Sequence, residues 1–235
     1  MSKSSQIPLP IRLEDYATWR NWISRPETKA LEEWLASGES GPDSAYLWGI
    51  PGTGKSHLLQ ACCELVGQKA RYVPLADLRR YPPDQVLAGA EGAKLIALDD
   101  IDSIEQDLAW QESLFGLYNQ CQESDACLLV AATPPPQQMV NMLADLRSRL
   151  SSLPVFQLPR VTETHLAELL RLRATAAGMN LSEEVVTYCV MRLPREASAA
   201  VAFIEQLDQL SLAQSRAVTI PFIRDTGLLT REVGG

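Results

Sequence analysis

The chain has 235 residues, of which 46% are hydrophobic, and its formal net charge is −8 at pH 7. This length suits one large domain or two unequal ones, and an acidic chain with no dense Lys/Arg run is a poor candidate for binding nucleic acid by phosphate neutralisation alone. No apolar run approaches membrane-spanning length, the polar start lacks the pattern of an export signal, and the five cysteines form no C-x-x-C pair. We therefore expect a cytoplasmic protein with no membrane contact, no disulfide framework and no zinc site.

The N-terminal tail contains a compact apolar stretch, QIPLPI, which covers Gln6 to Ile11. Its two prolines fix their own φ angles and supply no N–H, so the stretch is predicted to be extended and cannot be a helix. Two interpretations remain open on the residues alone. The stretch either binds a partner or packs onto its own domain.

The next part of the chain alternates short apolar runs with segments of helical spacing. The runs that predict buried strands are 45–49, 71–75, 94–100, 127–133 and 155–158, and the segments that predict helices are 56–66, 108–121 and 137–150. Such alternation is typical of a parallel sheet that is covered by helices on both faces. We therefore predict a flexible tail over 1–12 and an α/β domain over 13–159.

After residue 159 the pattern becomes wholly helical. Thr162 is the expected N-cap of a first helix that stops at Gly178, and Ser182 is the expected start of a second. A third helix is predicted roughly from Arg195 to Gln214, and the segment TIPFIRDTGLL closes the chain. We predict a small all-helical domain over 160–235.

The charges are distributed unevenly along the sequence. Residues 1–138 hold 11 basic and 19 acidic side chains, whereas residues 139–235 hold ten of each and contain no Lys. Arg147, Arg149 and Arg160 lie close together in the second part. They form either a solvated rim or an interface that meets anionic groups.

The segment GIPGTGKS follows the first predicted strand and opens the first predicted helix of the α/β domain. It matches G-x-x-x-x-G-K-S/T at every fixed position, and the glycines allow backbone N–H groups to approach phosphate oxygens at the N-terminus of a helix. Lys55 is expected on the β- and γ-phosphates of ADP or ATP, with Ser56 as a ligand of Mg²⁺. The residues that we assign to nucleotide binding in this segment are Gly49, Pro51, Gly52, Thr53, Gly54, Lys55, Ser56 and His57.

Two other predicted strands end in polar residues. Asp99 is the expected Mg²⁺ contact at the end of LIALDD, and Asp100 is the candidate that orients or deprotonates an attacking water. At the end of the fourth strand, Thr133 is a candidate for holding that water. An equally good interpretation of Thr133 is a residue that simply precedes the PPP turn at 134–136.

Together these motifs resemble the DnaA/Hda family of AAA+ ATPases. The residues that carry the resemblance are YLWGIPGTGKSHLL (46–59), IALDDID (96–102), LFGLYNQ (114–120), LADLRSRL (143–150), LDQL (207–210) and TIPFIRD (219–225). The resemblance covers nearly the whole chain and implies an AAA+ nucleotide-binding domain followed by a helical lid. It is nearest to the regulatory branch of the family. The initiators continue past the lid into a separate helix-turn-helix domain, whereas this chain ends about ten residues after TIPFI. Origin binding of the initiator kind is therefore not expected.

The resemblance also implies roles for single residues. Arg149 corresponds to the arginine finger, which serves the nucleotide of a neighbouring subunit, although Arg147 is an alternative in the same LRSRL segment. Trp19 lies in TWRNWI (18–23), which resembles a family stretch near the adenine; without the family, such tryptophans are more typical of a core. Where the family's lid carries a nucleotide-sensing Arg, this chain has Ser198, with Arg195 expected one turn earlier on the same helix face. Either Arg195 substitutes for that Arg or the lid contact is lost.

The regulatory branch carries a sliding-clamp-binding peptide near its N-terminus, and QIPLPI is similar to it. The residues expected to contact the clamp are Gln6, Ile7, Leu9, Pro10 and Ile11. By resemblance, the protein is a negative regulator of replication initiation that binds the DNA-loaded clamp and stimulates hydrolysis of ATP bound to DnaA. Its own ATPase is expected to be weak, its contact with DNA indirect, and its bound nucleotide ADP; a homo-oligomer is left open. The alternative is an autonomous AAA+ ATPase, acting as an initiator paralogue or a helicase-loader-like remodeller.

Overall fold

The computed structural model describes residues 16–37, 42–214 and 216–229. The chain divides into two compact units, of which the first comprises Met1–Ile50 and Lys55–Leu158 and the second comprises Pro51–Gly54 and Pro159–Gly235. Among the described residues, no helix is long and apolar enough to cross a lipid bilayer.

A parallel sheet forms the centre of the first unit. Its strands within the described residues are β1 (Ala45–Trp48), β2 (Ala70–Pro74), β3 (Leu95–Asp99), β4 (Cys127–Ala132) and β5 (Val155–Gln157). They lie in the order β2–β3–β4–β1–β5, and every pair of neighbours is parallel. Each strand agrees with one predicted apolar run to within one residue at either end. The predicted α/β fold is therefore confirmed.

Helices cover both faces of this sheet, which explains why its central strands β1, β3 and β4 are buried along almost their whole length instead of alternating. The helices described in the first unit are α1 (Lys29–Leu35), α2 (Lys55–Val66), α3 (Leu75–Leu78), α4 (Pro83–Val86), α5 (Leu108–Glu123) and α6 (Ala144–Ser152). In β3, Leu95 and Ala97 join a buried cluster with α1 and α2. Ile96 and Leu98 point the other way and join a cluster with α5 and α6. Neighbouring residues of one strand thus stabilise opposite faces.

The prediction of a helix over 137–150 is wrong for the first half of that range. A short 3₁₀ turn covers Pro136–Gln138, and the α-helix begins only at Ala144. Side chains from elsewhere satisfy the backbone between the two: Asn141 N donates to Glu105 Oε1 (2.9 Å), and Leu143 N donates to Gln111 Oε1 (2.6 Å). These bonds replace helical ones and allow the loop to bury its methionines.

The second unit is helical in its described residues after 158. Its helices are α7 (Glu163–Ala176), α8 (Glu183–Val190), α9 (Ala197–Gln214) and α10 (Ile220–Thr226). The two predicted N-caps are confirmed, since Thr162 Oγ1 accepts from His165 N (3.2 Å) and Ser182 Oγ accepts from Val185 N (3.4 Å). Gly178 has a φ of +74° just beyond α7, as expected for a helix stop.

The third lid helix begins later than predicted. Arg195 lies before α9, because Glu196 N donates to Pro194 O (2.8 Å) and Ala197 N donates to Gly52 O (2.9 Å). The backbone N–H groups of Glu196 and Ala197 therefore donate to acceptors outside the helix, and α9 starts at Ala197.

Candidate functional site

The segment Gly49–Gly54 forms a loop between β1 and α2. Gly52 has a φ of +77° and Gly54 a φ of +101°, conformations that side chains with a Cβ avoid. Gly49 N donates to Ala132 O (3.2 Å), which ties the start of the loop to the end of β4. The first N–H groups of α2 have no partner within the helix, so they are available to an anion.

Lys55 is the first residue of α2, and its ammonium group lies inside the curve of the loop. Nζ donates to Gly49 O (2.7 Å) and to Ile50 O (3.2 Å), and the residue is 6% exposed. Burial lowers the pKa of Lys55, whereas the nearby Asp99 and Asp100 raise it. A cation that is held by neutral carbonyls can exchange them for phosphate oxygens, which accept stronger hydrogen bonds.

Asp99 ends β3 and is 2% exposed. Its Oδ2 accepts a hydrogen bond from the Tyr72 hydroxyl (2.7 Å), and its Oδ1 accepts one from Asp100 N (3.1 Å). Both oxygens of this carboxylate are therefore oriented by hydrogen bonds. Tyr72 was not among the predicted site residues. Tyr72 can be found from the pairing of β2 with β3. It pairs with Ala97, and Ala97 and Asp99 lie on the same face of β3, so Tyr72 lies on that face of the sheet too.

Asp100 follows Asp99 in the left-handed region, with a φ of +53°. Burial raises the pKa of Asp100 to about 6, with further contributions from the charges of Asp99 and Asp102 and an opposing one from Lys55. Such a carboxyl group takes up and releases a proton near neutral pH, as a general base must. The strained backbone is also common at functional sites.

Thr133 follows β4 at the same edge of the sheet, since β3 and β4 are parallel neighbours. Its backbone N–H donates to Asp102 Oδ1 (3.3 Å), and the residue is exposed. The carboxyl ends of β1, β3 and β4 thus bring Lys55, Asp99, Asp100 and Thr133 to one edge of the sheet, which is where ligands bind in open α/β sheets.

The predicted magnesium ligands are consistent with the chemistry of that ion. Ser56, the second residue of α2, is exposed and offers a hydroxyl oxygen, and Asp99 offers an oriented carboxylate. Hard oxygen donors of this kind are what Mg²⁺ prefers, and it usually binds through one or two such groups together with substrate phosphates. The residues therefore fit the ion.

The segment before α1 packs aromatic side chains against α2. His57 Nε2 lies 2.9 Å from Thr18 O, and its ring centroid is 5.6 Å from that of Trp22. Trp22 Nε1 donates to Glu32 Oε1 (2.7 Å), which gives Trp22 a structural role. Trp19 is half-buried, and its indole nitrogen has no hydrogen-bond partner among the described residues. His57 is thus engaged through its side chain, whereas Trp19 keeps an unused donor.

The two arginines of the LRSRL segment have different surroundings on α6. Arg147 is half-buried, and its Nη1 lies 3.3 Å from Met139 O and 3.4 Å from Val140 O. Arg149 is exposed, and its guanidinium carbon lies 5.8 Å from the centroid of the Tyr118 ring. Arg147 therefore caps the neighbouring loop, while the Arg149 guanidinium faces solvent over an aromatic ring.

In the second unit, Arg195 forms an ion pair with Glu163. The predicted placement of Arg195 on the helix face of Ser198 is wrong, because Arg195 precedes α9 and Ser198 lies within it. Arg160, Thr162, Glu163 and Arg195 line a cavity of about 410 Å³.

The residues predicted to bind a clamp, Gln6 to Ile11, lie outside the described residues. Their assignment stays a prediction from the sequence.

Family models match two successive parts of the chain. Residues 45–158 match the AAA family of ATPases associated with various cellular activities, and residues 163–226 match the lid domain of Hda. The chain belongs to the DnaA/Hda family of AAA+ proteins. The resemblance inferred from the sequence motifs is therefore confirmed.

Solved structures share the fold of this DnaA/Hda-family protein. Domain III of the Thermotoga maritima replication initiation protein DnaA is 20% identical with a TM-score of 0.74, over 92% of this chain and 98% of that one. AMPPCP-bound DnaA from Aquifex aeolicus is 18% identical with a TM-score of 0.69, over 91% and 71% of the two chains. The Thermotoga maritima RuvB Holliday junction branch migration motor is 18% identical with a TM-score of 0.64, over 90% and 71%.

Proposed function

We propose that this protein is a negative regulator of chromosomal replication initiation, which stimulates hydrolysis of the ATP that DnaA holds. In this proposal it acts in a nucleotide-bound form while attached to the DNA-loaded sliding clamp. Membership of the DnaA/Hda family and the match to the Hda lid domain support a regulatory relative of DnaA. The observation that carries the proposal is the exposed guanidinium of Arg149.

An arginine finger must reach a phosphoryl group on another molecule, so its guanidinium has to be free of strong partners on its own chain. Arg147 does not meet this condition, because it donates to two loop carbonyls. Arg149 meets it, since its described contact is the face of Tyr118. An exposed cation over an aromatic ring is held by only about 0.5–1 kcal/mol, so release toward a phosphate is easy. We therefore assign the finger to Arg149.

The protein's own nucleotide, ADP or ATP, is proposed to bind along the loop that precedes α2. Gly52 and Gly54 let the loop backbone approach phosphates closely, and Lys55 exchanges its carbonyl acceptors for phosphate oxygens. The other proposed contacts of this loop and helix start are Gly49, Pro51, Thr53, Ser56 and His57. Mg²⁺, when bound by Ser56 and Asp99, supplies positive charge that neutralises the phosphate oxygens.

Two further residues are proposed to contact the nucleotide away from its phosphates. Trp19 is half-buried, and an aromatic ring of this kind can stack on an adenine; its contact with the base is proposed on the family resemblance. Arg195 is proposed as the lid residue that contacts the nucleotide in place of Ser198. Its guanidinium is already paired with Glu163, which competes with the nucleotide phosphates for it. We therefore expect the lid contact to be weak, and intrinsic hydrolysis to be slow.

Attachment to the clamp is proposed for Gln6, Ile7, Leu9, Pro10 and Ile11, on the sequence pattern and the family resemblance alone. A tether of this kind raises the effective concentration of two proteins toward the millimolar range, so the peptide need not bind tightly. Contact with DNA is then indirect, through the clamp.

The test measures hydrolysis of ATP bound to DnaA, with clamp loaded on DNA, on addition of this protein or its variants. Arg149→Ala should remove the greater part of a stimulation of roughly 10³- to 10⁵-fold. Arg147→Ala is the matched control, because it removes an arginine from the same helix and should retain most of the stimulation. Gln6→Ala/Leu9→Ala should lose stimulation with loaded clamp. Full stimulation by Arg149→Ala would contradict the proposal.

One observation favours the second candidate, an autonomous ATPase acting as an initiator paralogue or helicase-loader-like remodeller. Asp100, with a pKa of about 6, and Thr133 lie at the same sheet edge as Lys55, so a water-activating group is present within this chain. That candidate predicts substantial ATP turnover by the isolated protein, abolished by Lys55→Ala. The regulator predicts slow turnover of the isolated protein and fast turnover only in the presence of DnaA.

A further inference from the structure

A buried hydrogen bond connects β2 to β3 beneath the nucleotide-binding edge. The Tyr72 hydroxyl donates to Asp99 Oδ2 (2.7 Å). Asp99 is 2% exposed, so the carboxylate that accepts this bond is almost completely removed from water.

The direction of this bond follows from the chemistry of the groups. A tyrosine hydroxyl has one proton to donate, and an ionised carboxylate can only accept, so that proton points to Asp99. Burial is the largest cause of the raised pKa of Tyr72, and the neighbouring Asp99 raises that pKa further.

This arrangement fixes the orientation of the Asp99 carboxylate. A carboxylate on a short side chain can rotate about its last torsion, which has a broad energy profile. Here Tyr72 holds one oxygen and Asp100 N holds the other. The position of Tyr72 beside Asp99 is in turn set by the parallel pairing of β2 with β3. Supporting groups of this kind orient metal ligands in many sites.

We propose that Tyr72 is a positioning residue that sets the orientation of Asp99 toward the Mg²⁺ of the bound nucleotide. The inference rests on the proposed nucleotide site. It goes beyond that site by assigning a role to a residue that belongs neither to the loop before α2 nor to the Asp-Asp segment. Tyr72 itself touches neither phosphate nor metal in this scheme.

The experiment measures the affinity for a fluorescent ADP analogue as a function of Mg²⁺ concentration, with a second titration in EDTA. Loss of a supporting group typically weakens metal affinity by about 10- to 100-fold. Tyr72→Phe should therefore raise the Mg²⁺ concentration needed for half-maximal tight binding by about tenfold or more. Its affinity in EDTA should stay within about twofold of the parent, because the phosphate contacts are unchanged.

The matched control is Tyr46→Phe. Tyr46 lies on β1 of the same sheet, and its hydroxyl donates to Pro134 O (3.0 Å), so this variant also loses a buried hydroxyl but not one that orients a carboxylate. It should lose thermal stability without any change in Mg²⁺ dependence.

The outcomes separate the positioning role from the proposed function. If the parent protein binds ADP in a Mg²⁺-dependent way and Tyr72→Phe shows the same Mg²⁺ dependence, only the positioning role is overturned. Equal weakening of Tyr72→Phe with and without Mg²⁺ would also overturn it, because that pattern reports a general structural defect. A parent protein that shows no Mg²⁺-dependent ADP binding would overturn both.

Discussion

Substitution of Gly52 by Ala tests the contact between the phosphate loop and the residues before α9. Gly52 has a φ of +77°, and a Cβ added to it would lie 2.6 Å from Glu196 Cβ and 2.6 Å from Glu196 Cγ. Glu196 Cα lies 3.1 Å away, so the obstruction is near the backbone and not at the end of a flexible side chain. Gly52 O also accepts the hydrogen bond from Ala197 N. The substitution therefore forces one of these two segments to move.

The expected loss of stability has two parts. A left-handed backbone costs an alanine about 1–2 kcal/mol, of which roughly 0.4–1 kcal/mol is offset because alanine also restricts the unfolded chain. The steric overlap adds about 1–3 kcal/mol, as overpacking does elsewhere. Gly52→Ala should therefore destabilise the fold by about 1–4.5 kcal/mol. At roughly 2–4 °C per kcal/mol for a chain of this size, the melting temperature should fall by about 2–18 °C.

The control is Gly178→Ala. Gly178 has a φ of +74°, and nothing lies within 4 Å of an added Cβ, so this variant has the backbone strain without the overlap. It should lose only about 1 kcal/mol in urea unfolding. The double variant Gly52→Ala/Glu196→Gly, measured with both single variants, isolates the overlap, because Glu196→Gly removes the two nearest atoms. Equal losses for Gly52→Ala and Gly178→Ala, together with zero coupling in the double variant, would refute the reasoning.

Three further predictions concern charge and capping. The pKa of Asp100 is about 6 in the folded protein against 3.8 for the free group, so the folded state keeps a proton that the unfolded chain has lost. The free energy of unfolding should therefore fall as the pH rises from 3.8 to about 6, and Asp100→Asn should abolish this fall. If the parent protein and Asp100→Asn showed the same pH dependence in urea unfolding, the prediction would be contradicted. Thr162→Ala removes the side-chain cap of the 14-residue α7 and should lower the free energy of unfolding by about 1 kcal/mol in urea titrations. Ser182→Ala should cause a smaller loss, because the Ser182 cap bond is longer. Lys55→Ala should weaken ADP binding by roughly 10- to 100-fold in calorimetry, since a charged hydrogen-bond donor contributes about 1.5–3 kcal/mol, whereas the exposed Lys29→Ala should leave binding unchanged.

The sheet could be predicted from the sequence because a strand that is buried on both faces must be apolar at every position. The run LIALDD illustrates this, since Leu95 and Ala97 face one buried cluster while Ile96 and Leu98 face the other. The phosphate loop could be predicted because its glycines, lysine and serine are contiguous. In both cases the information lies within a few neighbouring residues.

The features that the sequence did not reveal depend on contacts between distant residues. The loop before α6 resembles a helix in its spacing, but Glu105 and Gln111 satisfy its backbone from another element. Tyr72 is 27 residues from Asp99 along the chain and becomes its partner only through the pairing of β2 with β3. Neither contact leaves a local pattern, so a single sequence gives no signal for it until the strand order is known.

The arginines after residue 138 can now be separated by their partners. Within the described residues, Arg171, Arg173, Arg195 and Arg216 each lie within 4.0 Å of a carboxylate oxygen, so their charges are compensated by their own chain. Arg149 has no such carboxylate among the described residues; it lies over Tyr118, a neutral ring that leaves its positive charge uncompensated. At exposed sites an ion pair is worth about 0–1 kcal/mol and a stacking contact about 0.5–1 kcal/mol, so the contrast between these arginines is one of charge compensation and not of contact strength. Arg192 and Arg224 likewise lie over a ring, that of Tyr188. The assignment of the finger to Arg149 therefore rests on its place in LRSRL together with its exposed, uncompensated charge, and it stays a prediction.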